Sequence, residues 1–136
     1  MQHADRCNDA QEVHDTLTDL TKGTPAWFIL AARALPVGVL GQFALAGAAL
    51  FMGSMPWTWH TALGTALALP VLALVGGILF VQRLRGFNWW AGLCLLLYVG
   101  QIALAAGQSI GTASIALALH PFNGALLLAA SLVLLA

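Results

Sequence analysis

Long apolar runs separated by short polar segments organise most of this chain. Four runs have the length of about 20 residues that a helix needs to cross the ~30 Å hydrocarbon layer of a membrane. They cover Leu35–Met52, Trp57–Val81, Trp89–Gly107 and Ala113–Ala136. Because the connecting segments are short, each helix must run antiparallel to the one before it. The pattern therefore predicts an all-α polytopic membrane protein, an antiparallel bundle of four transmembrane helices.

The polar positions divide the chain into two parts. We predict a polar, cytoplasmic N-terminal segment at residues 1–24 and a four-helix transmembrane domain at residues 25–136. The first part lacks the apolar core of a signal peptide, so we expect it to be retained. Its Val13, Leu17 and Leu20 follow helical spacing, which fits a short amphipathic helix as well as a partly ordered polar tail.

Composition supports the membrane assignment and narrows the function. Of 136 residues, 60% are hydrophobic and 7% are charged, whereas soluble domains have about 25% charged residues. All five acidic residues precede position 20, so the predicted bundle has no carboxylate to act as a general acid or base. An enzymatic role is therefore disfavoured. No nucleic-acid motif is present, and the expected partners are the lipid bilayer and other membrane protein subunits.

Basic residues predict the orientation of the bundle. Arg6, Lys22 and Arg33 precede the first predicted span, and Arg83 and Arg85 lie between the second and the third. Since Lys and Arg concentrate in cytoplasmic loops, both termini and the second loop should be cytoplasmic. We expect a multi-pass protein of a bacterial-type cytoplasmic (inner) membrane.

Two segments of the chain are similar to one another. They read GQFALAGAALFMGSMPWTWHTALG at residues 41–64 and GQIALAAGQSIGTASIALALHPFNG at residues 100–124. Each begins with Gly-Gln, continues through Ala-Leu-Ala, and reaches a histidine that is followed four residues later by a glycine. The predicted fold therefore consists of one two-helix unit that is repeated.

The repeat places His60 and His120 near the outer starts of two inward-running helices, at similar depths. Imidazole groups are costly in hydrocarbon and indicate function there. Gly64 and Gly124 follow one turn inward on the same faces and would leave the space that a flat macrocycle needs. Small residues also allow close helix packing without any cofactor, so both interpretations stay open.

Three amides accompany the histidines. Gln42 and Gln101 occupy equivalent repeat positions, and we expect them to form hydrogen bonds between helices. Asn123 lies about one turn beyond His120, within reach of another helix or a ligand. Pro121 removes one helical hydrogen bond beside His120.

These residues resemble a known heme site. Two histidines at the outer ends of helices two and four, in a four-helix unit with short loops, resemble the b-heme site in one half of heme A synthase. They resemble the membrane cytochromes of the b561 kind more loosely. The His-x-x-Asn-Gly at His120, with Gln101 in the preceding helix, is also similar to small uncharacterised bacterial four-helix membrane proteins. The resemblance covers about Leu35–Ala136.

The resemblance implies that His60 and His120 are the axial ligands of one b-type heme. The candidate cofactor-binding residues are His60, His120, Gly64, Gly124, Asn123, Gln42 and Gln101, with the two histidines as metal ligands. Heme A synthase has a carboxylate about one turn before the ligand on helix two, where this chain has Trp57. The resemblance therefore implies heme binding without that oxidation chemistry, for electron transfer or in a larger membrane complex.

Two alternatives remain beside heme b. In the first, the protein is a cofactor-free accessory subunit whose histidines only pair with other polar groups. In the second, Met52, Met55 and His60 form a copper site in the outer leaflet, since thioether and imidazole ligands suit Cu(I).

Overall fold

The computed structural model describes residues 23–106 and 113–136, and in these ranges the regular structure is entirely helical. The helices are α1 (Ala26–Met52), α2 (Met55–Ala66), α3 (Ala68–Phe80), a 3-10 helix (Gln82–Phe87), α4 (Asn88–Ala106) and α5 (Ala113–Leu135). The predicted all-α class is confirmed. The expectations for most of the polar N-terminal segment and for the third connecting loop concern positions outside the described residues.

The helices form the predicted antiparallel bundle of four spans. Segments long and apolar enough to cross a membrane are Ala26–Met52, Met55–Phe80, Gln82–Ala106 and Ile115–Leu135. α1 packs against α2, α3 and α5, while α4 packs against α3 and α5. Hence α1 lies diagonally opposite α4, and the α2–α3 pair lies diagonally opposite α5. The protein is a multi-pass membrane protein whose apolar outer surface contacts lipid.

The first helix begins earlier than predicted. It starts at Ala26 rather than Leu35, and Pro36 lies buried inside it without ending it. Proline removes one backbone hydrogen bond, but transmembrane helices tolerate it where neighbouring groups compensate. As a result Phe28, which precedes the predicted first span, lies within the helix, is only 2% exposed and belongs to the core.

The second predicted helix is divided in two. Leu67 separates α2 from α3, and Pro70 follows in the first turn of α3. Because proline has no N–H, the Ala66 carbonyl loses its usual helical donor. Tyr98 of α4 donates its hydroxyl to the Gly64 carbonyl at 3.0 Å, so a side chain from a neighbouring span binds the backbone next to the break.

Burial follows the predicted repeat. Three of the seven buried positions of α1 have buried counterparts 59 residues later in α4, and the three from Leu67 to Leu74 have buried counterparts 60 residues later in α5. The equivalent buried pairs are Ala32 and Ala91, Leu35 and Cys94, Val39 and Tyr98, Leu67 and Leu127, Val71 and Ser131, and Leu74 and Leu134. The bundle is therefore built from two copies of one two-helix unit around a shared core.

We predict that Gly77 is needed for the close approach of α1 and α3. A methyl group there would lie 2.8 Å from a ring carbon of Phe28 and 2.9 Å from one of Trp27. Gly77→Ala should therefore lower the free energy of unfolding by about 1–3 kcal/mol, since rigid rings must move. Gly76→Ala is the control, because a methyl group at Gly76 meets no described atom within 4 Å. Thermal unfolding in detergent measures both; equal losses would contradict the prediction.

Candidate functional site: the paired histidines

The fold brings His60 and His120 together. They project from the diagonally opposed helices α2 and α5, and their ring centroids lie 6.2 Å apart with the ring planes inclined at 53°. Both residues are half-buried. The equal depth expected from the repeat is therefore accompanied by direct juxtaposition of the two imidazoles.

His60 is held by a reciprocal pair of hydrogen bonds with Gln42 of α1. The Gln42 side-chain amide donates to the His60 carbonyl at 2.9 Å, and His60 Nδ1 lies 3.1 Å from the Gln42 carbonyl oxygen. Since a carbonyl oxygen only accepts, neutral His60 carries its proton on Nδ1. Its Nε2 lone pair is left available for a metal ion. Trp57 also contacts the His60 ring edge-on, with centroids 5.5 Å apart.

In the second two-helix unit the side-chain hydrogen bonds have different partners. Asn123 of α5 donates its side-chain amide to the Gln101 side-chain oxygen at 2.6 Å and to the Leu97 carbonyl at 2.8 Å. The His120 imidazole faces the backbone of Gln101. However, its buried Nδ1 has no hydrogen-bond partner among the described residues. Gln42 and Gln101 both link helices, as expected, but only Gln42 binds its histidine through the side chain.

Gly64 and Gly124 leave space for the side chains of Gln42 and Gln101. A methyl group at Gly64 would lie 3.4 Å from the Gln42 side-chain nitrogen, and one at Gly124 would lie 3.3 Å from that of Gln101. The space that we assigned to a macrocycle one turn inward is therefore occupied by amide side chains. The physical reason is that a buried amide needs partners, so each glutamine lies across the neighbouring helix where that helix has no side chain.

The two-helix units also contact one another away from the imidazole rings. α3 packs against α4, and the Tyr98 hydroxyl of α4 donates to the Gly64 carbonyl of α2. On the opposite side, the Phe43 ring of α1 lies 3.4 Å from a methyl group placed at Gly124 of α5. Ile102, which is equivalent to Phe43 in the second unit, is 52% exposed. The two units are therefore in contact on both sides of the bundle, about one turn inward from the histidines.

The separation of the imidazoles matches a metal ion held between them. With a metal–nitrogen bond of about 2.0–2.1 Å, and the nitrogen about 1.1 Å from the ring centre, two collinear imidazoles have centroids about 6.3 Å apart. The observed value is 6.2 Å. No group of three or more His, Cys, Asp or Glu side chains occurs in the described part of the chain. A metal at this position would therefore take its remaining ligands from a non-protein group or be two-coordinate.

Comparison with known proteins gives one match. A family of unknown function, DUF6220, matches residues 42–112, which is just over half of the chain. The matched region begins at Gln42 and includes His60 and Gln101, but it ends before His120 and Asn123. No curated protein and no solved structure matches the chain.

We predict that the neutral imidazole of His60 carries its proton on Nδ1, because the partner of that atom is a carbonyl oxygen. Nitrogen-15 NMR of histidine-labelled protein, prepared without heme or metal, should show a protonated Nδ1 and an unprotonated Nε2. The His60→Ala variant assigns the signal by its disappearance. A proton on Nε2 would contradict the geometry.

Proposed function

The chain belongs to the DUF6220 family of unknown function, and we propose that it binds one b-type heme between His60 and His120. The observation that carries the proposal is the 6.2 Å separation of the two ring centroids, which leaves room for one iron between two imidazoles. In this role the protein acts in electron transfer or as the heme-bearing subunit of a larger membrane complex.

The number of protein ligands favours a macrocycle over a bare ion. His60 and His120 would hold the group, and the porphyrin nitrogens would supply the further ligands that the described residues lack. The Gln42 carbonyl oxygen orients His60 by accepting from Nδ1, and hydrogen bonds of this kind orient metal-binding histidines generally. A bis-imidazole heme supplies one-electron oxidation and reduction.

The polar groups of the site favour electron transfer over substrate chemistry. All acidic residues of the chain precede position 20, and the groups around the histidines are amides, backbone carbonyls and aromatic rings. Amides do not exchange protons near neutral pH as a general acid or base must. We therefore propose that this protein shares histidine ligation of heme with heme A synthase and the b561 cytochromes, and that it lacks the oxidation step of heme A synthase.

Copper is the second candidate, and one observation favours it. Two imidazoles at this separation also suit a two-coordinate Cu(I) ion, and soft thioethers lie nearby in sequence. Met52 and Met55, at the turn between α1 and α2, are 75% and 72% exposed.

We predict that purified protein shows the low-spin spectrum of a b-type heme. His60→Ala and His120→Ala should each abolish that spectrum, because each removes one of the two imidazoles that would hold the heme. His3→Ala and His14→Ala are the controls, since they alter the other histidines of the chain. Reduced-minus-oxidised spectra and pyridine hemochrome assays measure the effect. Wild-type protein that contains copper and no heme would support the second candidate, and protein with neither would support the accessory role.

We place the protein in the cytoplasmic membrane of a bacterium with both termini cytoplasmic, and the orientation is testable. Ser54 and Asn88 are exposed at opposite ends of the spans. In a Cys7→Ser background, Ser54→Cys should react with a membrane-impermeant maleimide added to intact cells, whereas Asn88→Cys should react only after lysis. The reverse pattern would mean that the positive-inside prediction is wrong.

A further inference from the structure

Tyr98 of α4 contacts the backbone of the span that carries His60, and we infer that it is a positioning residue for the pair of histidines. Its hydroxyl sets the bend between α2 and α3, and that bend decides where the His60 imidazole lies relative to His120. The inference concerns the site of the proposed function and rests on that proposal for its part in heme binding.

The Tyr98 hydroxyl lies in the interruption between α2 and α3. It donates to the Gly64 carbonyl at 3.0 Å, and it forms a second hydrogen bond with the Ala68 backbone. In a continuous helix the Ala68 N–H would itself donate to the Gly64 carbonyl, four residues earlier. The hydroxyl therefore lies between the two partners of one helical hydrogen bond, and an insertion of this kind bends a helix.

Pro70 allows the span to be interrupted here, but it does not fix the angle of the bend. Its ring removes the donor that the Ala66 carbonyl would have used, so the span resists bending less at this level. The Tyr98 side chain is only 8% exposed and belongs to the core of the bundle. Because packing holds the ring, the hydroxyl has a fixed place, and the bend depends on α4 as well as on the span itself.

The bend acts on His60 because α2 carries this residue. The interruption is at Leu67, seven residues after His60, which is about 10 Å of helix. A change of about 10° in the bend would therefore move His60 by about 2 Å. Such a shift is large beside the 6.2 Å that separates the centroids of the two imidazoles.

The same part of α4 also binds the helix that carries His120. The Leu97 carbonyl, one residue before Tyr98, accepts a hydrogen bond of 2.8 Å from the Asn123 side chain of α5. Asn123 lies three residues after His120. Consecutive residues of α4 therefore bind both histidine-bearing helices, each about one turn inward from its imidazole. The relative position of the two imidazoles thus depends on α4, although α4 carries neither of them.

Electron paramagnetic resonance of the ferric holoprotein tests the inference. Tyr98→Phe keeps the buried ring and removes the hydroxyl, so that the Ala68 N–H can pair with the Gly64 carbonyl and the bend decreases. The g values of a low-spin heme with two imidazole ligands depend on the angle between the imidazole planes, and these planes are inclined at 53°. We expect Tyr98→Phe to shift the largest g value relative to the wild type.

Cys94→Ala is the matched control. Cys94 is fully buried in the same helix, one turn from Tyr98, so its replacement also weakens the packing of α4. It leaves the hydrogen bonds at the interruption in place. Both variants should unfold at a lower temperature than the wild type, and only Tyr98→Phe should shift the g value. A loss of stability alone therefore does not imitate the expected result.

Proton NMR of the heme-free protein tests the same bend without a cofactor. Tyr98→Phe should shift the ring-proton signals of His60 and His120, because each imidazole changes its position relative to the other. Cys94→Ala should leave these signals at their wild-type values. His60→Ala and His120→Ala assign the signals by their disappearance.

The outcomes separate this inference from the proposed function. Wild-type g values and ring-proton signals in Tyr98→Phe overturn the inference and leave the proposed function standing. Equal shifts in Tyr98→Phe and Cys94→Ala also overturn it, since any loss of packing in α4 would then have the same effect. Absence of heme from the wild type, by pyridine hemochrome assay, overturns the proposed function, and the ring-proton signals then decide whether Tyr98 positions the histidines.

Discussion

A buried amide or imidazole must find its partners inside the protein when the solvent is hydrocarbon, and this constraint shapes the outer half of the bundle. Gln42 satisfies it by bonding to His60 across the interface of α1 and α2. Gln101 satisfies it by bonding to Asn123 across the interface of α4 and α5. Each glutamine side chain lies over a glycine of the partner helix, so the missing glycine side chain leaves the space in which the glutamine forms its hydrogen bonds.

The same constraint explains the break between α2 and α3. Pro70 leaves the Ala66 carbonyl without its helical donor, and the chain turns at Leu67. The Tyr98 hydroxyl bonds to the Gly64 carbonyl close to that point. The interruption therefore lies inside the membrane but within protein, which is where irregular backbone is tolerated. It also separates the histidine level from the densely buried inner half.

Most of the fold and part of the candidate site can be predicted from the hydropathy of the chain and from its internal repeat. Four spans, their antiparallel order and the pairing of His60 with His120 were accessible, because spans are long and the two units share the Gly-Gln and His-x-x-x-Gly positions. The start of α1 at Ala26 was not accessible, since Arg33 and Pro36 have the character of a helix boundary in isolation. That the glutamine side chains fill the space beside Gly64 and Gly124 could not be predicted, because it depends on how side chains of different helices pack together.

Each two-helix unit contributes a single imidazole to the pair. One unit alone could complete such a site only by dimerising with a second copy of itself, and in a symmetric homodimer the two ligands would be identical by construction. Tandem fusion removes that identity, because each half of the chain then mutates independently. A symmetric homodimer could not have leucine at one of these equivalent positions and asparagine at the other, as this chain has at Leu63 and Asn123. With both halves in one chain, the two histidines can lie among different neighbours.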